Sequence, residues 1–384
     1  MKTCVLENAA VILPASKLKN ANVLIENGRI SKISTEKISA HETININNLT
    51  LYAGFIDVHN HGAVGVDVNG ADAEGYVKIS AFLAENGVTS WLPTLVPGSD
   101  ENYRRVIGEI DRLMEIQTGK PVAQAVGVHY EGVFANEKMC GALRPEFFKI
   151  GSRQLAEGSS LPMLERGIHM TTLAPEIDGG IELIEELVKQ NWIVSIGHTR
   201  ADAATLDRAF AAGARHITHF FNAMTGIHHR ETGVAGWGLV NEDVTFDIIA
   251  DGIHVNPQML ELVCRVKSPD KVSLISDSVA PTGLGDGTFE LWGEEVMVKN
   301  GRTRNARGSI AGSVITMLDA VKQMLSLGFS DIEVAKMASS NPACLLCIDN
   351  DRGSIEVGKR ADLVAIDSDG NAKMTMIGGK IIRQ

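Results

Sequence analysis

Two histidines one residue apart close the run FIDVHNHG at residues 55–62. In an extended strand, side chains two apart leave the same face about 7 Å from one another along the chain, so His59 and His61 can reach one point in space. Four further segments place metal- or proton-binding groups behind apolar, β-rich runs: Glu131 in GVHYEG, His198 in SIGHT, His219 in HITHFF and Asp277 in LISDS. Two imidazoles and one carboxylate, as in Glu131, His198 and His219, leave a coordination position open for water on a zinc-like ion, whereas structural zinc sites more often use four ligands with several cysteines. A carboxylate such as Asp277 beside that ion can take a proton from bound water, whose pKa the cation lowers towards ~7. Any one of these histidines alone reads as a hydrogen-bonded core residue, and Asp277 alone as a turn or helix cap. Their recurrence behind successive apolar runs favours the metal site.

Such groups converge only if the elements carrying them do. Apolar runs recur at 55–59, 88–95, 125–132, 169–175, 193–199, 216–221, 244–251 and 272–278. Helical patterns such as DAEGYVKISAFLAENG, IELIEELVKQN and ADAATLDRAFAAGA lie between several of them. Strand and helix alternating in this way predict an α/β fold, a (β/α)8 TIM-like barrel, whose active site lies at the carboxyl ends of its strands. His59 and His61 then end strand one, Glu131 strand three and His198 strand five, while strands six to eight carry His219, Asp251 and Asp277. The two ends of the chain have a different texture, of short alternating runs separated by NG, DG and GG turns. We expect residues 1–52 and 355–384 to form one small β-sandwich domain and residues 53–354 the barrel.

The chain has 384 residues, 44% of them hydrophobic, and a net charge of −11. That charge repels phosphate backbones, so no nucleic-acid partner is expected. The opening MKTCVLENAAVILPAS lacks the apolar core and cleavage site of a signal peptide, and no run approaches the ~20 apolar residues of a membrane helix. Five scattered cysteines outline no disulfide framework, which fits a reducing cytoplasm. CLLC at 344–347 has the spacing of half a zinc site, but no second pair exists, and the expectation is core packing.

The segments GFIDVHNHG, GVHYEG, SIGHT, HITHFFNAMTGIHHRETG, IIADGIHV, LISDS and GSIAGS, with the tail GSIEVGKRADLVAID, resemble those of the N-acetylglucosamine-6-phosphate deacetylases of the amidohydrolase superfamily. The resemblance runs nearly end to end. It implies a metal-dependent deacetylase of an amino-sugar phosphate, with zinc the expected ion and one or two per subunit. Glu131, His198 and His219 would hold the principal ion, Asp277 would be the catalytic carboxylate, and His59 and His61 would support a second ion. Asn222, Ala223, His254 and Ala142 match substrate-binding positions. Arg230 matches an arginine that clamps the phosphate, often across the interface of a homodimer. Arginine suits that task because its planar fork donates two parallel hydrogen bonds.

The chain departs from the family's pattern after the third strand, where EGVFANEKMCGALRPEF stands. Leu143 replaces a histidine, Met139 and Cys140 replace lysines, and Thr232 stands for a proline. The changes at 139–143 bear on rate and on which sugar epimer or acyl group is preferred, N-acetylgalactosamine-6-phosphate being the nearest alternative. A dihydroorotase-like cyclic amidase would need a carboxylated lysine at the end of strand four, and HMTTLAPE has none. A catalytically dead scaffold would have lost ligands that this chain keeps.

Overall fold

The computed structural model describes residues 3–156 and 161–383. Both ends of the chain build one eight-stranded sheet. Thr50–Ala53 joins them by pairing in parallel with Thr3–Ile12 and antiparallel with Leu363–Ile366. The NG turn expected after Glu26 is present: Asn27 and Gly28 both have positive φ, as a two-residue hairpin requires. Irregularities at Leu6, Ala9 and Val11 let Thr3–Ile12 pair with Glu42–Asn45 over one half and with Thr50–Ala53 over the other, so the sheet is continuous but bent. Its core mixes side chains from both ends, among them Leu6, Val23, Leu51, Leu363 and Met376.

Eight parallel strands form the barrel: β1 (Phe55–Asn60), β2 (Val88–Leu95), β3 (Gly127–Phe134), β4 (Ile168–Leu173), β5 (Ile193–Ile196), β6 (His216–Ile217), β7 (Thr245–Ile249) and β8 (Val272–Ile275). The helices between and after them are α1 (Ala73–Glu85), α2 (Asp100–Ile116), α3 (Gly151–Ala156), α4 (Gly180–Lys189), α5 (Ala203–Ala212), α6 (Gly233–Val240), α7 (Pro257–Val266) and α8 (Met317–Ser326). Their starts follow local chemistry: Asp72, Ser99 and Asp202 each accept a backbone N–H of the first turn, and Pro257 opens α7 behind Asn256. The strands β1 to β4 are buried almost throughout, as parallel strands covered on both faces must be. Trp91, Tyr103, Tyr130, Phe220 and Phe246 are fully buried between strands and helices, each worth roughly 1.5–3 kcal/mol or more in burial.

Inside the barrel, Ile56, Val58, Leu92, Met170, Ile249 and Ile275 pack on Ala343 and Leu346 from the short helix Asn341–Leu345 and the turn after it. This corrects the expectation for CLLC. The helix turns Ala343 and Leu346 inwards, and Cys344 and Cys347 are exposed, free thiols. Closure of the barrel is made at its carboxyl rim, where Asp277 N–H donates to His59 O at 3.0 Å and His61 N–H donates to Ser278 O at 2.8 Å. Between β8 and α8 the chain inserts a three-stranded antiparallel sheet, Gly287–Leu291, Glu294–Lys299 and Arg302–Asn305.

Candidate metal centre and active site

His198, His219 and Asp277 each lie two residues beyond the end of their strand, and each has a positive φ, of 47°, 35° and 48°. Non-glycine residues held there cost on the order of 1–3 kcal/mol each and persist only where surrounding structure over-determines them. The turn is what swings each side chain from the barrel wall over its mouth. Glu131 stays within β3 but is followed by Gly132 at φ +66°, where a Cβ would meet Leu143 Cδ1 at 2.2 Å. His59 and His61 share one face of β1, as their spacing requires, and their Nε2 atoms are 3.0 Å apart.

All six side chains are buried and converge. Glu131 Oε1 lies 2.9 Å from His219 Nε2, 3.1 Å from His198 Nε2 and 3.4 Å from His59 Nε2, while its Oε2 lies 3.2 Å from His61 Nε2. Asp277 Oδ1 stands 3.3 Å from His61 Nε2 and 3.6 Å from His59 Nε2. Two donor sets result, one of His59, His61 and Asp277 and one of Glu131, His198 and His219, each with ligand atoms within 4.8 Å of one another.

The electrostatics show how much this cluster asks for positive charge. Burial pushes the Glu131 carboxyl up, but His59, His198 and His219 outweigh it and hold the group well below the usual carboxylate range. Burial likewise raises Asp277, and His59 and His61 bring it below its ordinary value. Burial lowers His61 and His219, yet the carboxylates around them lift the first to about 10 and the second to about 9. Four imidazole nitrogens and two carboxylates in a dry site must share protons or a cation. The donor set is nitrogen and oxygen without thiolate, which suits a divalent ion of the zinc type. The tautomers fit too: His61 Nδ1 is 3.0 Å from Thr94 O and His198 Nδ1 is 2.8 Å from Met139 O, which leaves each Nε2 lone pair facing the cluster.

Above the cluster is a cavity of about 140 Å³. Asn222, Ala223, His254 and Ala142 line it, together with Leu143, Trp292 and Ile310. His254 is held by Asp251, whose Oδ2 is 2.6 Å from its Nδ1, so the seventh strand's carboxylate supports a cavity residue and does not join the cluster. Arg230 is not brought in: it lies on the exposed loop between β6 and α6 beside His229. Thr172, near the end of β4, is 2.7 Å from His129 Nε2 and 2.6 Å from Thr218 Oγ1, a polar contact beside the cluster, and β4 brings no lysine to it.

Sequence reading missed Trp292. It sits at φ +55° in the hairpin turn between Leu291 and Glu294, and its ring packs edge-on to His61 at 5.3 Å between centroids. The alternating run TFELWGEEVMVKNGR, with its WG and NG turns, carried the hairpin signal. The carbonyls of Thr94 and Met139 had no such signal, because any residue supplies a carbonyl.

The amidohydrolase family model matches residues 50–382, which include every residue of the site. This chain belongs to the amidohydrolase family. Amidohydrolases are metal-dependent enzymes, and the two donor sets are this one's candidate ligands. The amidohydrolase is 34% identical to the N-acetylglucosamine-6-phosphate deacetylase of Bacillus subtilis, over 99% of this chain and 97% of the relative. It is 36% identical to the N-acetylgalactosamine-6-phosphate deacetylase of Escherichia coli O157:H7, over 86% of this chain and 87% of the relative. In structure it is similar to a mutant N-acetyl-D-glucosamine-6-phosphate deacetylase from Mycobacterium smegmatis in complex with N-acetyl-D-glucosamine-6-phosphate, with a TM-score of 0.89, 27% identity and all of both chains covered. No helix among the described residues is long and apolar enough to cross a membrane.

Proposed function

We propose that this amidohydrolase removes the acetyl group from N-acetylglucosamine-6-phosphate, giving acetate and glucosamine-6-phosphate. The observation that carries the reading is the convergence of Glu131, His198, His219, His59, His61 and Asp277 beneath a cavity lined by Asn222, Ala223, His254 and Ala142. The six converging residues would hold a divalent ion, zinc in our reading and one or two per subunit, and when bound it would supply a Lewis acid for the amide carbonyl and lower the pKa of water. Asp277 would take a proton from the attacking water and return it to the departing amine as the C–N bond breaks, and its side chain at the cavity supports that role. Asn222, Ala223 and His254 would hold the sugar phosphate, and Ala142 with Leu143 would form the opposite wall. Arg230, exposed on its own subunit, fits a homodimer in which it reaches the partner's phosphate.

A second reading keeps the chemistry and changes the epimer to N-acetylgalactosamine-6-phosphate. The 36% identity to the N-acetylgalactosamine-6-phosphate deacetylase of Escherichia coli O157:H7 supports it, and Leu143, buried against the cavity, lacks the hydrogen-bond donor that the first reading would use there. We assign the two terminal segments, 1–52 and 355–384, to a small domain and 53–354 to the catalytic one, and place the protein in the cytoplasm, with no nucleic-acid or membrane partner. The test is a deacetylation assay on both 6-phosphate epimers with metal measured on the same sample. Acetate release from neither, by protein shown to hold metal, would overturn both readings.

A further inference from the structure

The four imidazoles of the cluster are oriented in two different ways. His61 and His198 are fixed through Nδ1 by the carbonyls of Thr94 and Met139. His59 and His219 have no partner at Nδ1 among the described residues. Each of these two is instead held by its backbone N–H, which donates to a buried aspartate: His59 to Asp57 Oδ1 at 3.4 Å, and His219 to Asp247 Oδ1.

The second anchor has a partner that the chemistry above does not use. Asp247 and His216 are buried, and Asp247 Oδ2 accepts from His216 Nε2 at 3.1 Å. His216 Nδ1 lies 2.7 Å from Thr245 Oγ1, which fixes the ring in turn. Asp247 O also accepts the Phe220 N–H at 2.8 Å. His219, two residues beyond the short β6, thus enters its left-handed turn with its own N–H on the Asp247 side chain and the N–H of the next residue, Phe220, on the Asp247 carbonyl. We infer that the His216–Asp247 pair is a positioning device for His219, and that it is reached from the far end of the barrel. The inference rests on His219 being a metal ligand.

Access follows from the second half of the geometry. His216 lines a cavity of about 410 Å³ at the amino ends of β5 to β8, with Trp192, Thr245, Ser273 and Asn341. Removing the His216 ring opens a path from that cavity to Asp247 Oδ2. A carboxylate left with one buried oxygen unpaired would rotate towards other donors, and the His219 N–H would follow or be lost. Because His219 Nδ1 has no second anchor among the described residues, the error passes directly to its Nε2.

The test uses full-length protein freed of metal and reloaded with zinc, the affinity being read by competition with a chromophoric chelator. His216→Ala should weaken zinc about 10–100-fold, as expected for loss of a group that supports a ligand. Its kcat on N-acetylglucosamine-6-phosphate should fall while KM stays within about twofold. His216→Gln, whose amide nitrogen can donate to Asp247, should hold zinc to within a few-fold of wild type, and His216→Asn, too short to reach, should not. With zinc in excess, millimolar imidazole should restore turnover to His216→Ala relative to wild type in the same buffer. Wild-type zinc affinity and turnover in His216→Ala would overturn the inference. So would a loss that neither imidazole nor glutamine restores, which is the behaviour of a packing residue. If His216→Ala does not fold, equal zinc affinities for the Gln and Asn variants overturn it instead. The zinc readout needs no substrate, so a wild type that binds zinc but deacetylates neither epimer sinks the functional reading and leaves this one standing.

Discussion

The backbone N–H of Asp277 donates to the carbonyl of His59 at 3.0 Å, so the last barrel strand closes on the first at two residues whose side chains also approach, within 3.6 Å, in the buried cluster. The backbone makes this closure, and the side chain of Asp277 takes no part in it, which leaves it available for the proposed acid–base role. Asp277→Asn is therefore expected to keep its fold and the ion of Glu131, His198 and His219 while losing at least ~10²-fold in turnover, the range for an acid–base group. An amide is nearly isosteric but cannot take the proton. Near wild-type turnover in metal-replete Asp277→Asn rules the role out.

Glu131 presents one oxygen to His59, His198 and His219 and the other to His61, an arrangement that can bridge two ions. Metal analysis after saturation should approach two equivalents per chain. Replacing His59 by Asn and His61 by Gln together should remove one equivalent and spare the other. A wild type that never exceeds one equivalent contradicts the second site.

Metal-free protein should lose stability as pH rises from neutral. His61 at about 10 and His219 at about 9 lie above the ordinary imidazole value near ~6.5, so the folded state holds more protons than the unfolded one between these limits. The contribution is complete below ~6.5 and is lost as pH passes through 9 to 10. Glu131 and Asp277, whose carboxyls are lowered, act in the opposite direction only below the usual carboxylate range. With metal bound, the imidazole nitrogens carry an ion in place of protons and the decline should vanish. Urea midpoints at neutral and alkaline pH, with and without chelator, measure the difference, and parallel curves refute it.

Arg230 is expected to act on the phosphate from a partner subunit. Arg230→Ala should raise KM for the phosphorylated sugar by at least ~10-fold and leave the unphosphorylated N-acetyl sugar nearly unchanged, because only the phosphate uses the guanidinium fork. Equal losses on both substrates remove the assignment.

Leu143 closes the cavity against Gly132 and offers no hydrogen bond. A missing donor costs ~1–3 kcal/mol in a transition state that needs one, about 5- to 150-fold in rate. Leu143→His, assayed on both epimers and on bulkier N-acyl sugars, should shift preference towards N-acetylglucosamine-6-phosphate. The same change on every substrate means that this position does not select among them.

The errors of the sequence reading have physical causes. CLLC was taken for core because the run around it is apolar, but a helix lying on the barrel floor buries one face only, and the cysteines fall on the other. Arg230 is a phosphate-binding candidate by resemblance alone, and on its own chain it lies on an exposed loop outside the cavity. Trp292 was overlooked because it reaches His61 from an insertion that interrupts the strand–helix rhythm.

What the sequence determined by itself was whatever local physics governs. Period-two alternation put His59 and His61 on one face, apolar runs alternating with amphipathic ones required a barrel, and a parallel barrel gathers its strand ends at one mouth. Tertiary structure alone decided the rest. Whether His198, His219 and Asp277 can stand in left-handed turns depends on contacts made by distant residues, as Asp247 does for His219. Which nitrogen of His61 and His198 faces the cluster depends on the carbonyls of Thr94 and Met139. A carbonyl carries no residue identity, and a strained φ carries no composition, so neither is visible until the chain closes on itself.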